Sequence, residues 1–392
     1  MLGALATAVG GGLAPAWLIA PRARAAAAAE RVIQLTDGRI WAGPGWTDAD
    51  LDAGVLRSVV EQALCELTSA SNATAALAAL IPEVSNPDQR YAIKVNCVNA
   101  DLPTHPRVVG ALVDLLLEAG ARADRIAVFD RADHELLGCG YAPGQGERYA
   151  VTGTLQTGPG YDPAVIELSD GTVRLSRIIT AQADHIINIP VLKNHSMAGV
   201  TLSLKNHFGS IDDPEVLHGR QNDGCPGIAE LNAQQAVRDK TRLVLVDATF
   251  GNYRSGLAGK PDFAPMPLIA AANPLAADRV GQRLINQQRE KEGREPIDAR
   301  HLRLAADLGL GPASLSEVAV ASSVLHPVEK KARPWDREDK GGCTVAPESG
   351  SRLPAAVAAG AAALWYARRR GARESAPSSP GDENRAGQKR GQ

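Results

Sequence analysis

Residues 186–209 read IINIPVLKNHSMAGVTLSLKNHFG and contain the tripeptide Lys-Asn-His twice, at 193–195 and at 205–207. The first copy follows the apolar run 186–191, which is typical of a strand buried on both faces. The second copy precedes a Phe-Gly turn. One short segment therefore supplies two ammonium groups, two amides and two imidazoles, and this combination predicts a site for an anion or a metal ion.

The composition is that of a large globular protein with an aliphatic core. The chain has 392 residues, of which 44% are hydrophobic and only 4% are aromatic. This length suits one large α/β domain or two smaller ones. The formal net charge is -2, and no basic stripe with interleaved aromatic residues occurs in the central region. We therefore expect no nucleic acid among the partners of this protein.

The sequence lacks several fingerprints of common cofactor sites. No P-loop, strand-linked G-x-G-x-x-G or G-x-S-x-G motif occurs, so the identity of any cofactor is unknown. The cysteines form no C-x-x-C pair, so we expect no integral iron–sulfur module and no Cys-rich zinc site. One disulfide remains open, and the odd number leaves at least one thiol unpaired. The cysteines are Cys65, Cys97, Cys139, Cys225 and Cys343.

Alternation of apolar and amphipathic runs predicts an α/β fold, with a mostly parallel sheet that is flanked by helices. Strands of near-continuous Val, Ile and Leu are typical of parallel sheets that are covered on both faces. The clearest helix is predicted at 106–119, and Gly120 ends it. The predicted strands lie at 91–98, 126–130, 186–191 and 242–247.

Further elements complete the α/β domain, which we place at residues 30–325. The region 32–84 has a helix-like pattern. The region 138–160 is rich in glycine and predicts a surface loop or a small subdomain inserted into the domain. The additional predicted elements are helices at 51–67, 75–80 and 276–287 and strands at 266–272 and 317–321.

The N-terminal segment 1–29 is apolar and alanine-rich, and it ends in Ala27-Ala28-Ala29. Small residues at the end of an apolar run are typical of signal peptidase cleavage, so this segment predicts export. No Lys or Arg precedes the apolar run, and a complete signal would need basic residues upstream of it. The alternative is an alanine-rich helix that packs on the domain.

The C-terminal region predicts a linker at 326–352, a short hydrophobic segment with an Arg cluster at 353–370 and a disordered tail at 371–392. The hydrophobic part is short for a bilayer, which needs about 20 residues. The order of Cys343, apolar segment and Arg cluster resembles the C-terminal sorting signals of the myxobacterial type. This resemblance implies that Cys343 is processed and anchored, whereas the alternative is a disordered tail around a short helix. Both ends together predict an exported protein, periplasmic or anchored at the cell surface, with a terminal segment at the membrane.

Polar residues at the ends of the predicted strands indicate a binding site, because ligands of parallel α/β sheets bind at the carboxyl ends of the strands. Lys94 and Asn96 lie two residues apart near such an end and therefore share a face. The helix that begins at Pro106 offers free backbone amides to an anion. The predicted catalytic residues are Lys193, His195, Lys205, His207 and Asp247, and the predicted cofactor-binding residues are Lys94, Asn96, Asn188, Asn206 and Gly209.

A metal site is a further hypothesis, with His195, His207 and His218 as candidate ligands. Their spacing matches no standard zinc motif such as H-E-x-x-H. Structural interpretations also stand, because a lone histidine usually has a structural role and a strand-end acid such as Asp130 is often a cap. Gly209 likewise fits a turn.

Four segments occur in a specific order along the chain. They are Lys94-x-Asn96 with Thr104-His105-Pro106, the run 184–195, the run 204–209 with His218 downstream, and Asp247 followed by the run 273–281. In this order they resemble the family catalogued as domain of unknown function 362, over roughly residues 90 to 325.

The resemblance implies a family to which no general activity is assigned. Many relatives have Asp where this chain has Asn273, and this difference removes a charge from any metal site there. Some relatives also carry a ferredoxin-like module, whose Cys clusters this chain lacks.

Two functions remain open at this stage. The first is an exported enzyme or cofactor-binding protein whose lysines hold an anionic small molecule or whose site holds a metal. In it, His195 or His207 would act as general acid or base, and Asp247 would orient a histidine or hold a metal. The lysines could instead form a Schiff base if burial lowers their pKa. The second is a non-catalytic, surface-anchored protein that binds a ligand or a partner.

Overall fold

The computed structural model describes residues 29–329 except 219–223, 255 and 257–258. The predicted export signal, nearly all of the predicted linker, and the predicted sorting signal and tail lie outside the described residues. Within the described part, no helix combines the length and the apolar character that crossing a membrane requires.

The strands of the described chain are β1 (Glu30–Asp37), β2 (Tyr91–Lys94), β3 (Ile126–Asp130), β4 (Gly144–Gln145), β5 (Ala150–Gly153), β6 (Ile166–Leu168), β7 (Gly171–Val173), β8 (His185–Asn188), β9 (Val191–His195), β10 (Gly199–Thr201), β11 (Thr241–Asn252), β12 (Pro267–Ala271) and β13 (Val318–His326). Except for β6 and β7, which pair only with each other among these strands, they form one large mixed sheet. Its main path is β13-β1-β12-β11-β8-β2-β3-β5-β4, while β9 pairs with β11 and β10.

The strands that carry the predicted site residues run parallel. Across the sheet, parallel pairs join β5 to β3, β3 to β2, β2 to β8 and β8 to β11, and β9 also pairs parallel to β11. Antiparallel pairs occur at β4–β5, β9–β10, β11–β12 and β12–β1. The mostly parallel α/β architecture expected from the sequence is thereby confirmed.

The helices are α1 (Ala53–Thr68), α2 (Ala73–Leu80), α3 (Pro106–Glu118), α4 (Asp133–Gly138), α5 (Ser203–Asn206), α6 (Gly227–Ala233), α7 (Gln235–Arg238), α8 (Pro274–Lys291) and α9 (Arg300–Asp307). The sheet separates two apolar clusters, one built with α1, α2 and α3 and the other with α6, α8 and α9. Adjacent strand residues alternate between them, as Val32 and Ile33 show. Helices therefore cover both faces of the sheet.

Local sequence signals fix where the longer helices begin and end. The side chain of Asp52 accepts a hydrogen bond from the backbone N–H of Val55 and caps α1. Asn273 caps α8 in the same way through Ala276, and Pro274 occupies the first helical position. The Asn273 side chain also donates to the Leu310 carbonyl, so its observed role is structural.

Three sequence predictions need correction in detail. The region 32–84 is not helical throughout, because β1 lies at its start. This strand is paired on both sides and buries residues on both faces, so it lacks the alternation that identifies a strand. The strand predicted at 91–98 ends at Lys94. The glycine-rich region 138–160 contributes β4 and β5 to the edge of the large sheet.

Candidate functional site

The Lys94 ammonium forms a buried ion pair with Asp130 at the carboxyl ends of β2 and β3. Lys94 Nζ lies 2.8 Å from Asp130 Oδ1 and donates to the Val95 carbonyl at 2.6 Å. Asp130 also accepts the backbone N–H groups of Cys97 and Arg131. The predicted cofactor-binding residue Lys94 is therefore already neutralised within the chain.

Gly209 lies directly against this ion pair. A Cβ at Gly209 would come within 2.1 Å of Asp130 Oδ1 and 2.7 Å of Lys94 Nζ. Such distances are far shorter than van der Waals contact, so no larger residue fits without moving the pair. The structural reason for glycine at this position is close packing on the ion pair.

Beside the ion pair, a continuous chain of hydrogen bonds joins Lys193, Asn96, Asn206 and Asn188, which we name the amide network. Lys193 Nζ donates to Asn96 Oδ1 at 2.8 Å, and Asn96 Nδ2 donates to Asn206 Oδ1 at 3.0 Å. Asn206 Nδ2 then donates to Asn188 Oδ1 at 2.7 Å. All four side chains are buried. Residues predicted separately from β8, β9 and the region after β2 are thus brought into contact.

His207 lies at the far end of the amide network. Its Nε2 is 3.5 Å from Asn188 Nδ2, and its Nδ1 is 3.2 Å from Ser210 Oγ. Burial, followed by the charge of Lys94, lowers the pKa of His207 to about 3. This imidazole is therefore neutral at physiological pH.

A second group of side chains surrounds Lys205, and we name Lys205, Phe208, His195, His218 and His301 the Lys205 cluster. Lys205 Nζ lies 3.7 Å from the centre of the Phe208 ring, within cation–π distance. The His218 ring packs edge-on against Phe208 and stacks on His195, with ring centres 5.5 Å apart in the stacked pair. His218 reaches the surface, whereas Lys205 is only 5% exposed.

Backbone contacts fix the tautomer of His195. Its Nδ1 accepts the N–H groups of Met197 and Ala198, each at 3.1 Å, so the ring proton of the neutral form is on Nε2. His301, on α9, is completely buried; its ring lies near the Ala198 carbonyl, but neither ring nitrogen forms a hydrogen bond of good geometry within the described chain. Burial lowers the pKa of both rings to about 3, and the charge of Lys205 adds to this effect.

The charge of Lys205 has no acceptor among the described residues. They contain neither a hydrogen-bond acceptor for its Nζ nor a carboxylate within ion-pair distance of it. Burial lowers its pKa to about 7; nearby Cys225 and Glu215 oppose this effect, while Lys193 reinforces it. Burial also lowers the pKa of Lys193 to about 8. Isolated buried charges are costly, so both ammonium groups favour a compensating negative charge.

Asp247 orients a histidine, but that histidine is His105 rather than one of the predicted catalytic imidazoles. Asp247 Oδ2 lies 2.7 Å from His105 Nδ1 and also accepts the His105 backbone N–H at 3.0 Å. Its Oδ1 accepts the Thr249 hydroxyl at 2.7 Å. Burial opposes charge on both partners, but their mutual attraction and hydrogen bonds lower the pKa of Asp247 and raise that of His105.

Asp278 positions the short helix that carries Lys205. Its carboxylate accepts the backbone N–H groups of Ser203 and Leu204, at 2.7 Å and 3.0 Å, and thereby caps the first turn of α5. Burial raises the pKa of Asp278 to about 7, against the effect of these hydrogen bonds. No local pattern in the sequence indicates this contact, because Asp278 and Ser203 lie far apart along the chain.

The three histidines proposed as metal ligands do not come together. His195 stacks on His218, whereas His207 points to Asn188 and Ser210. Within the part of the chain that the structure describes, no group of three or more His, Cys, Asp or Glu side chains is arranged to hold a metal ion. A cavity of about 400 Å³ lies at the β5 edge and is lined by residues such as Val151, Thr152 and Gln182. Its lining includes no residue of the amide network or of the Lys205 cluster.

The comparisons with known proteins bear on the family. Residues 92–283 match the model of the family described as Domain of unknown function (DUF362). This match supports the resemblance drawn from the sequence motifs, over a shorter range than predicted. The matched residues include the amide network and Lys205, while His301 lies beyond them.

Other comparisons add little. No curated protein matches the chain. A crystal structure of a Thermotoga maritima protein from a structural genomics consortium matches at 13% identity with a TM-score of 0.37. That match covers 55% of this chain and 58% of the other chain.

The unusual pKa values predict that the ligand-free protein becomes more stable as the pH rises from 6.5 to 9.5. Lys193 and Lys205 have folded-state pKa values of about 8 and about 7, below the ordinary value of 10.5. Between each folded-state value and 10.5 the unfolded chain binds the additional proton, so raising the pH favours the folded state through these two lysines by roughly a few kcal/mol; His105, whose pKa is raised, opposes this gain in part. Urea unfolding at both pH values measures the gain.

The matched variants for this measurement are Lys205→Met and Lys291→Met. The first should show a clearly smaller gain with pH than the wild type. The second changes an exposed lysine of α8 and should leave the gain intact. An equal gain in the wild type and in Lys205→Met would show that the pKa of Lys205 is not lowered in the folded protein.

Proposed function

We propose that this protein binds a small anionic molecule at the Lys205 cluster. The observation that carries the proposal is the Lys205 ammonium, which is buried and has no acceptor among the described residues. An ammonium in such a place favours an external negative charge, because pairing offsets its loss of hydration. A carboxylate or phosphate group supplies that charge.

The groups around Lys205 support recognition of an anion rather than a cation. His195 is neutral and carries its proton on Nε2, so it can donate a hydrogen bond. Lys193 adds a second positive charge close enough to lower the pKa of Lys205. One carboxylate, Glu215, is near, but it is exposed and lies 3.3 Å from the His218 ring.

The amide network holds the residues next to Lys205 in a fixed position. Asn206 follows Lys205 in α5 and is held by both Asn96 and Asn188. Asp278 fixes the first turn of the same helix. Side chains held in this way keep a binding group in place before the ligand arrives, which lowers the entropic cost of binding.

Access to the site is expected on the side of His218, the most exposed side chain of the Lys205 cluster. The slight exposure of Lys205 and His195 indicates a ligand that reaches them with one terminal group. The terminal sequence patterns support placing this site in an exported protein. The alternative, a non-catalytic and surface-anchored binding protein, would use the same site.

The proposal is tested by titrating the full chain with propionate and with inorganic phosphate in a calorimeter at pH 6.5. At least one of the two anions should bind, and Lys205→Met should weaken that binding about tenfold or more, which corresponds to about 1.4 kcal/mol. Two lysines provide the controls. Lys291 is exposed, and Lys240 is half-buried with its Nζ held by the Ile179 carbonyl at 2.6 Å.

The variants Lys291→Met and Lys240→Met should retain the wild-type affinity. Binding of neither anion to the wild type would overturn the proposal. Equal affinities of the wild type and a folded Lys205→Met variant would also contradict it, because the anion would then be held elsewhere.

A further inference from the structure

The amine of Lys205 differs from those of the buried lysines Lys94 and Lys193 and of the half-buried Lys240. Lys94 is paired with Asp130, Lys193 donates to Asn96, and Lys240 donates to the Ile179 carbonyl. Within the described chain, Lys205 Nζ has no hydrogen-bond acceptor and lies 3.7 Å from the centre of the Phe208 ring. An aromatic face stabilises a cation weakly and leaves the lone pair available once the proton has left. The geometry therefore leaves this amine available as a nucleophile.

Imidazoles that can carry protons lie around this amine. His301 is completely buried and lies close enough to Lys205 and His195 for charge on one group to lower the pKa of another. His218 completes the set beside Phe208. The other titratable groups that act on Lys205 are Cys225, Glu215 and Lys193. With pKa values of about 3, His195 and His301 stay neutral at pH 7 and can donate a hydrogen bond to the carbonyl oxygen, while water on the exposed side of His218 can exchange the protons that the addition of an amine to a carbonyl requires.

We propose that Lys205 condenses with the carbonyl group of the bound anion, so that the ligand class is a small carboxylate that also carries an aldehyde or ketone. This inference rests on the proposed anion site. The nitrogen lone pair attacks the carbonyl carbon, the C=O π electrons move to oxygen, and one proton passes from nitrogen to that oxygen through water. The resulting carbinolamine loses one water molecule and becomes a C=N bond to Nζ.

The protonation of the amine supports this chemistry. With its pKa lowered to about 7 by burial, about half of Lys205 is neutral at pH 7. An exposed lysine with an ordinary pKa is neutral in only about one molecule in several thousand at that pH. The reactive fraction at Lys205 is therefore larger by about three orders of magnitude.

The experiment uses pyruvate with sodium cyanoborohydride on the full chain at pH 7, followed by peptide mapping in a mass spectrometer. Cyanoborohydride donates hydride to the C=N carbon and leaves a stable secondary amine, so the peptide gains the mass of pyruvic acid less one oxygen atom. We expect this adduct at Lys205 at least about tenfold faster than at exposed Lys291, and no corresponding adduct in Lys205→Met. Propionate, which has the same charge but no ketone, should compete with the reaction.

Two further measurements separate failure of this inference from failure of the anion site. If propionate binds but no pyruvate adduct forms at Lys205, the condensation is wrong and the anion site stands. Formaldehyde with cyanoborohydride is the neutral probe: labelling of Lys205 without any affinity for propionate would support amine reactivity and overturn the anion site. The inference is overturned if pyruvate and formaldehyde both label Lys205 no faster than they label Lys291.

Discussion

Replacing Asp130 with alanine is expected to lower the free energy of unfolding by about 3–5 kcal/mol. The substitution leaves the Lys94 ammonium buried without its carboxylate. In the wild type the side chains of Lys94 and Asp130 are 1% and 6% exposed. It also removes the acceptor for the backbone N–H groups of Cys97 and Arg131. A buried charge without a partner costs far more than the loss of a surface contact. Urea unfolding at pH 7 measures the difference.

The matched control is Asp124→Ala, which breaks an exposed ion pair with Arg122 at 2.8 Å. Its cost should be much smaller than that of Asp130→Ala, because exposed pairs are screened by solvent. The double variant Lys94→Met with Asp130→Ala should recover part of the stability that Asp130→Ala loses. If Asp130→Ala and Asp124→Ala cost the same, the buried ion pair does not hold β2 and β3 in the way described.

Replacing Asp247 with alanine is expected to destabilise the protein by a similar amount, about 3–5 kcal/mol at pH 6. The substitution removes the acceptor of His105 Nδ1 and of the His105 backbone N–H, and it removes the acceptor of the Thr249 hydroxyl. The effect should be largest at mildly acidic pH, because there His105 is charged and needs the carboxylate. Urea unfolding of the wild type and the variant at pH 6 and pH 9 tests both statements.

The sign of the pH dependence follows from the two shifts. The pKa of His105 is raised above 6.5, so its contribution to stability is complete below pH 6.5 and is lost as the pH rises through its folded-state pKa. The pKa of Asp247 is lowered below 3.8, so its contribution is complete above pH 3.8 and is lost on acidification. A cost of Asp247→Ala that does not decrease between pH 6 and pH 9 would contradict a charged pair.

The sequence predicted the sheet better than the site. Apolar runs such as 126–130 and 242–247 became strands because parallel strands are buried on both faces and need continuous apolar side chains. The same property concealed β1, whose neighbouring residues Val32 and Ile33 are both buried. Its pairing with β12 and β13 depends on segments far along the chain.

The second Lys-Asn-His copy shows why the site was only partly predictable. Its three residues lie at the end of a helical turn, where neighbouring side chains point in different directions. Lys205 faces Phe208, Asn206 enters the amide network, and His207 turns to Ser210. The residue types could be read from the sequence, but the neighbours that each side chain contacts could not.

The residues that the sequence did not indicate as site residues come from distant segments. His301 joins Lys205 from α9, and Asp278 joins Ser203 from α8. His105 was quoted as part of a motif, but its pairing with Asp247 required the fold. A lone histidine or aspartate in a helix carries no local signal of such a contact, because the contact forms only in tertiary structure.

We expect the Lys205 ammonium to pair with an anion from outside the chain. Crystals of the full chain soaked in sodium bromide, with anomalous data collected at the bromine absorption edge, test this claim directly. We expect an anomalous peak in contact with Lys205 Nζ, beside His195 and His218. Bromide bound only elsewhere, or a carboxylate of the protein paired with Lys205 Nζ, would contradict it.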